Sequence, residues 1–482
     1  MSTVKKNLFY NLLLLFSNLL FPVVNFAYAS RILGPVGIGK VQFVIAFASY
    51  FVVIAQVGIP VYGIREIAKA KKDQRQLDKL FSELLLINLI SSLLMLVVYM
   101  IIILSVPWFR NSLDYYLLAG LLVFSGFSVL EWFYQGMEQF RFLTVRSVVV
   151  KTLALTGLLL FVKTPNDLMT YFLITLGSVL AINLWNLAGL RKQVAVSFSG
   201  LRLKTHFKAL SILYGSSLTI AVYTLGDTLW LGFLSGNKAV GFYTAAKKLT
   251  LITIPLITSL GTVLIPRMAQ SLNVNNTEEL KRRVKQSFSF ICLFGIPISI
   301  GLLFFAPEFM MAFSGPMFSG AVFTLQILAP SIFVVGLSHL FGIQLLIQGG
   351  FEKLYLKSTT YGMIISLFLN LILISLFQDK GAAATLLITE TLVAFFAYFY
   401  VWQKMKLRVN WSLAWRALIA SLSFLPVVFG LKYLHIMLVF RLSIAVFVSA
   451  MLYFVIQIFV FREPLLLEII KGLRTKGERE KV

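Results

Sequence analysis

The stretch TIAVYTLGDTLWLGFLSGNKAVGFYTAAKKLT, residues 219–250, is apolar enough to cross a bilayer twice, yet it carries Asp227, Lys247 and Lys248 among apolar neighbours. On a helix, Thr219, Tyr223, Asp227 and Trp230 step by four, four and three, so they share one face. After a short turn, Tyr243, Lys247 and Thr250 do the same. An ionised side chain at the centre of a bilayer helix costs roughly 2.5–3.5 kcal/mol on insertion scales, so it faces a partner or a watery cavity. Two readings follow: a polar chamber inside a membrane bundle, or a buried Asp–Lys pair that only locks two helices together.

The whole chain agrees with a membrane setting. Its 482 residues are 59% hydrophobic and only 13% charged, with a mean hydropathy of +0.88, whereas soluble domains carry about 25% charged residues. Cys292 is the one cysteine, which excludes a disulfide and a cysteine metal site. His206, His339 and His435 are too far apart for metal-ligand spacing and read as ordinary loop or helix-end residues. No metal or other cofactor is expected. Lys5 and Lys6 before an apolar run ending at Ala27-Tyr28-Ala29 have the outline of a signal peptide. The run is too long and is interrupted by Asn11, Asn18 and Asn25, so it reads as a retained first helix.

Runs of about 20 apolar residues fall near 7–29, 41–64, 80–104, 114–136, 143–162, 168–190, 209–233, 240–264, 286–306, 320–347, 355–377, 381–402, 413–431 and 440–461. The expected fold is therefore all-α and polytopic, with about fourteen transmembrane helices. Alternating sides from a cytoplasmic N-terminus leaves about three times as many Lys and Arg inside as outside, which predicts both termini in the cytoplasm. The formal charge of +24 is then topological and no nucleic-acid partner is implied. Basic inside loops, such as Arg65 to Lys79 and Arg267 to Lys285, suit contact with anionic membrane lipids.

A repeat is visible. Val36-Gly37 after the first helix corresponds to Val240-Gly241 after the seventh, an offset of about 204 residues or six spans. Six is even, so the copies share one orientation and are related by a pseudo-two-fold along the membrane normal. The expected division is a six-helix lobe at 1–190, a cytoplasmic linker at 191–208, a second six-helix lobe at 209–402, helices 13 and 14 at 403–461, and a basic cytoplasmic tail at 462–482. On the first helix Asn11, Asn18 and Asn25 recur every seven residues, with Tyr28 continuing the face and Arg31 following at its outer end. That face points into the protein. The chemistry suits a cavity lining and a helix-to-helix contact equally.

Several stretches resemble the polysaccharide transporter family, flippases for lipid-linked O-antigen and capsule repeat units, within the superfamily that also holds the multidrug extruders. They are Arg31-Ile-Leu-Gly34-Pro35-Val36-Gly37, Gly58-Ile-Pro60-Val-Tyr62-Gly63-Ile-Arg65-Glu66, Glu131-Trp-Phe-Tyr-Gln-Gly136-Met-Glu138, Val240-Gly-Phe-Tyr243, and Gly381-Ala-Ala-Ala384 leading to Glu390. The Glu-Trp-Phe-Tyr-Gln-Gly segment is the most specific of these. The resemblance implies two lobes around a cavity that opens alternately to each side of a bacterial inner membrane. Its cargo would be an undecaprenyl-pyrophosphate-linked oligosaccharide, and relatives have a cationic lumen.

Our own reading of the residues supplies the candidate roles. Arg31, Lys40, Lys247, Lys248 and Lys151 would meet the pyrophosphate. Asn18, Asn25, Tyr28, Tyr223, Trp230 and Tyr243 would line the cavity, with the aromatic rings offering faces to sugars. Asp227 and Glu390 are candidates for coupling to H⁺ or Na⁺. Arg65, Glu66 and Glu131 are candidates for an inner gate, and an interfacial ion pair with no gating role is the plainer account of them. A peptidoglycan lipid-precursor flippase shares the pyrophosphate and stays open as an alternative. A multidrug antiporter should favour acidic lining residues, against the basic balance here. A membrane glycosyltransferase or polymerase needs a sizeable outside loop, and none is visible, so no catalytic residues are assigned.

Overall fold

A computed structural model of the protein describes residues 3–191, 193–197, 200–273, 276–431, 436–464 and 466–467. His435 and most of the basic tail lie outside the described residues. Every regular element among those described is helical, the arrangement that lets a chain in hydrocarbon satisfy its own backbone. Among the described residues, eleven helices are long and apolar enough to cross a membrane, or twelve if the bent pair Pro316–Leu328 and Ser331–Ile347 makes one span. Large apolar side chains such as Leu153, Phe447 and Phe459 stand exposed on them, as lipid-facing surfaces require.

The difference from fourteen lies in two long runs. The expected first span and most of the second fall in one apolar run of 47 residues, Phe9–Ala55, and the end of the seventh with the whole of the eighth falls in another of 48, Leu225–Leu272. Each would measure about 70 Å if straight, more than twice the hydrocarbon thickness.

Contacts divide the chain into two compact units, Met1–Gly241 and Phe242–Val482. The first holds α1 (Thr3–Ala55), α2 (Ile59–Ala70), α3 (Gln74–Ser105), α4 (Leu113–Phe124), α5 (Glu131–Gly136), α6 (Phe140–Phe161), α7 (Leu168–Leu190) and α8 (Lys204–Asn273) as far as Gly241. Helix α1 turns back on itself at Gly34, where φ is 66° and ψ is 177°. Only glycine occupies that region without strain. Before the turn α1 runs alongside α6: Thr144 Oγ1 donates to the Tyr10 carbonyl at 2.7 Å, and the Tyr28 hydroxyl donates to the Val162 carbonyl at 3.0 Å. After it the chain returns along α3 and α4, with Phe47 and Phe51 packed on Tyr99 at 5.6 and 5.1 Å.

Helix α8 has the same break at Gly236, with φ 79° and ψ −177°. The two breaks meet. A Cβ on Gly39 would lie 1.7 Å from the Asn237 carbonyl oxygen, and one on Gly241 would lie 2.0 Å from that of Pro35. Gly34 with Gly236, Pro35 with Asn237, and Gly39 with Gly241 all differ by 202 residues. The contact is thus reciprocal, the pattern that two-fold relation of equivalent segments produces. It places the register of the repeat two residues from the one suggested by Val36-Gly37 and Val240-Gly241. Small residues here let two backbones touch, the usual device of helix packing in lipid.

The Glu131–Gly136 segment is the aromatic core of the opposite end of this unit. Trp132, Phe133 and Tyr134 are buried, and a Cβ on Gly63 would meet the Trp132 ring at 2.4 Å. Between α4 and α5 the helix opens into a 3-10 turn, Ser125–Ser128. The Asn88 amide donates toward the carbonyls of Gly126 and Phe127 in this turn at 3.5 and 3.4 Å.

The second unit contains the remainder of α8, then α9 (Thr277–Phe290), α10 (Ile296–Phe304), α11 (Ala306–Ser314), α12 (Val322–Leu328), α13 (Ser331–Ser338), α14 (Glu352–Leu369), α15 (Ser375–Phe377), α16 (Asp379–Met405), α17 (Ser412–Ser421), α18 (Phe424–Leu431) and α19 (Leu438–Val455). Gly381 opens α16 against the Leu373 carbonyl, 1.9 Å from where its Cβ would stand. The last helix is fastened by the Tyr453 hydroxyl, which donates to the Leu293 carbonyl at 3.0 Å. Leu293 sits in the π-turn Ile291–Gly295 between α9 and α10.

Overpacking the reciprocal contact should be costly. Gly39→Val and Gly241→Val are each expected to destabilise by about 1–3 kcal/mol, whereas Gly177→Ala, with nothing within 4 Å of its Cβ position, should be neutral or slightly stabilising. Thermal unfolding of the purified protein reads all three; equal melting temperatures would refute the close approach.

Candidate functional site

The polar face of α1 is built against α6. Asn18 is exposed, and its Oδ1 accepts from Ser147 Oγ at 3.3 Å and from Lys151 Nζ. Two residues singled out separately in the sequence are therefore partners, with the amide holding the ammonium. Asn25 is half-buried, and its Oδ1 has no hydrogen-bond partner among the described residues. One turn on, the Tyr28 hydroxyl ties down the end of α6, so that group serves the scaffold.

Arg31 and Lys40 flank the Gly34 turn. Arg31 is exposed and Lys40 half-buried, with its ammonium 4.0 Å from the centre of the Tyr115 ring. A cation so placed gains about 0.5–2 kcal/mol from the ring and keeps its other donors available.

Asp227 belongs to the first unit and is 1% exposed. Nearby, the Tyr50 hydroxyl donates to the Val222 carbonyl at 3.4 Å, and Trp230 is half-buried. The Tyr223 side chain lies outside those described. In the second unit Tyr243 is fully buried, and Lys247 Nζ stands 5.2 Å from its ring centre. That ring therefore serves Lys247. Lys247 and Lys248 are half-buried, as is Glu390 on α16.

The inner-gate candidates are not brought together as one cluster. Arg65 and Lys69 both bond Glu66, at 2.8 and 2.9 Å, on an exposed turn of α2. Burial alone would raise the Glu66 carboxyl, and the bonds from Lys69 and Arg65 outweigh it and hold the group below its usual range. Glu131 instead pairs with Arg146 at 2.7 Å, and Arg146 also donates to Asn186 Oδ1.

Arg146 was missed by sequence reasoning. It is 1% exposed, but it lies four residues into an apolar run and was absorbed among the loop charges. A charge so placed inside an apolar stretch was the available signal. His206, expected as an ordinary loop or helix-end residue, does lie in the first turn of α8, but its pairing was not anticipated. It is buried, with Nδ1 2.8 Å from the Tyr62 hydroxyl and Nε2 2.8 Å from Glu83 Oε2. Glu83 Oε1 in turn accepts from the Arg202 amide at 2.7 Å, fixing the segment after the seventh helix to α2 and α3. Asp379, buried beside Thr324 Oγ1, was not anticipated either.

The arrangement offers fixed cations and amides along apolar helices, which is suited to holding an anion and poor in groups for bond chemistry. The sequence pattern of the family described as "Polysaccharide biosynthesis protein" matches residues 4–272, and that described as "MatE" matches 213–376. A protein of Escherichia coli (strain K12) named "Putative O-antigen transporter" is 26% identical over 405 residues, 81% of this chain and 95% of its own. A protein of Haloferax volcanii named "Probable low-salt glycan biosynthesis flippase Agl15" is 25% identical over 260 residues, 53% of this chain and 54% of its own. Among solved structures, "Lipid II flippase MurJ, inward closed conformation" superposes with a TM-score of 0.74 at 14% identity, covering 95% of this chain and 99% of that one. The last likeness is one of fold.

Breaking the buried pair should show its cost. Arg146→Ala is expected to destabilise by about 3 kcal/mol, leaving Asn186 without its partner. Glu131→Gln should cost less, because Glu131 is 45% exposed and water can replace part of the bond. Unfolding midpoints in detergent test the order, and equal losses would contradict the asymmetric burial.

Proposed function

Since the chain belongs to the polysaccharide biosynthesis protein family, we propose that it is a flippase moving an undecaprenyl-pyrophosphate-linked oligosaccharide repeat unit (O-antigen, capsule or exopolysaccharide) from the inner to the outer leaflet of the bacterial inner membrane. The observation that carries this reading is the set of cations held along apolar helices, Lys151 on Asn18 and Arg31 with Lys40 on either side of the Gly34 turn. A pyrophosphate must leave water to cross. Guanidinium and ammonium donors replace its hydration with charge-assisted bonds.

Transport would proceed by alternating access of the lobes 1–190 and 209–402, joined by the linker 191–208. The excess of basic residues in alternate loops supports cytoplasmic termini and a cytoplasmic tail at 462–482. Lys247 and Lys248 would contribute to the same anion path from the second lobe, while Asn25 and Trp230 face the sugars. Moving one negative charge outward against an inside-negative potential is favourable by about 2.3 kcal/mol per 100 mV. The return of the empty carrier would use proton or Na⁺ exchange at Asp227 or Glu390. Arg65 with Glu66, and Glu131 with Arg146, would close the inner side.

The alternative is a flippase for the peptidoglycan lipid precursor, whose headgroup carries the same pyrophosphate and whose likeness in fold lends it support. Gene deletion separates the two. Loss of surface glycan with normal growth supports the first reading, and loss of viability supports the second.

Arg31→Ala and Lys247→Ala are each expected to cut surface glycan by roughly tenfold or more, since a bond to a charged group is worth about 1.5–3 kcal/mol, with the protein still in the membrane. The assay is complementation of a flippase-null strain with protein levels checked by immunoblot. Full complementation by both variants would sink the cationic path. Lys151→Gln should have a smaller effect, because Asn18 already takes up one of its donors.

A further inference from the structure

A groove in the second unit lies between residues 281–288 of α9 and the segment 407–413 that leads from α16 into α17, and holds none of the residues assigned above to the transport path. It encloses about 210 Å³. Its floor is apolar, with Phe288, Leu407 and Leu413, and its rim carries Lys281, Lys285, Arg408 and Asn410. The local chain makes this division. Lys281 and Lys285 are one helical turn apart and share a face. Helix α16 ends at Met405, and Lys406, with a φ of 54°, turns the chain out of it. In the segment that follows, Leu407 is buried while Arg408 and Asn410 are exposed.

The level of the groove is marked by tryptophan. Trp402, Trp411 and Trp415 are all exposed around it, and Trp411 packs edge-on against Phe288 at 5.5 Å. Exposed tryptophans of this kind gather at the boundary between headgroups and hydrocarbon. Helix α9 changes character at the same level, from Glu278-Glu-Leu-Lys-Arg-Arg to the apolar residues after Ser287.

The acids nearby leave the rim positive. Glu278 bonds Lys281 at 2.8 Å but is 82% exposed, and such a solvated pair is weak. Glu279 is taken by Arg282 and Arg283. Glu463 is buried near Lys285 and Arg416; burial pushes its carboxyl up, against the pull of those two cations.

We propose that this groove is a binding site for the headgroup of an anionic phospholipid of the surrounding bilayer. The phosphate sits among Lys281, Lys285 and Arg408, the Asn410 amide, whose Oδ1 already accepts from the Ser412 N–H at 3.0 Å, donates its N–H to an ester carbonyl, and the glycerol backbone and upper acyl chains cover Phe288 and Leu413. A freely diffusing phosphate would satisfy the rim but leave that floor wet, which is why a lipid fits better. The site is independent of the cargo the protein carries.

The test uses purified full-length protein in a neutral detergent, with dioleoylphosphatidylglycerol and dioleoylphosphatidylcholine as probes and binding read by native mass spectrometry. Phosphatidylglycerol should bind at least about tenfold more tightly. Each basic residue near a surface is worth about 1 kcal/mol toward an anionic lipid, so Arg408→Gln should weaken phosphatidylglycerol about fivefold. The triple change Lys281→Gln, Lys285→Gln and Arg408→Gln should weaken it on the order of a hundredfold, with phosphatidylcholine unchanged. Arg408→Gln alters one exposed side chain, so it keeps the readout if the triple variant does not fold. Equal binding of the two lipids overturns the proposal, and so does displacement of the lipid by millimolar inorganic phosphate. An equal loss on neutralising Lys72, Arg75 and Lys353 would show diffuse surface charge instead of a site, and would also overturn it.

Discussion

A helix in hydrocarbon has no water to turn to when its backbone ladder is interrupted. Two of the interruptions described here are met by a side chain. Asn88 reaches the Gly126 and Phe127 carbonyls between α4 and α5, and Tyr453 donates to the π-turn before α10, while Tyr99 and Tyr134 donate to the carbonyls of Tyr116 in α4 and Asn186 in α7. These bonds span from 17 to 160 residues of sequence. They let the helices bend without exposing orphaned carbonyls, and bent, broken helices are what a carrier needs. Some polar residues of the spans thus serve the backbone, and on the proposed function others would serve an anion.

That division explains what was legible in the sequence. The apolar runs announced themselves, because hydrocarbon imposes length and composition directly. The spacing of Asn18 and Asn25 marked a polar face on α1, and the structure sets Asn18 of that face, itself exposed, against Ser147 and Lys151 of α6. Arg146 was hidden for the opposite reason: near the start of an apolar run, its identity as a buried charge depends on Glu131 and Asn186, 15 and 40 residues away. His206 depends on Glu83 in the same way. Pairings across the bundle have no periodicity to read.

The repeat shows a subtler failure. Val36-Gly37 and Val240-Gly241 look alike, yet the backbone equates Gly34 with Gly236, whose φ and ψ nearly coincide. Short word matches reward identity, whereas the fold rewards the one position where only glycine is unstrained. The second glycine of each pair, Gly39 and Gly241, is required by proximity instead of by conformation.

The meeting of those glycines also sets an order for biogenesis. The first unit reaches as far as Gly241, so six inserted spans from the translocon would still lack the α8 limb that fills against Phe43 and Phe47. At about 5–20 residues added per second, the nascent half would wait several seconds with that flank toward lipid. Asp227, entering last, would find its protein surroundings already laid down, which eases the insertion of an acidic side chain that a lone helix would resist.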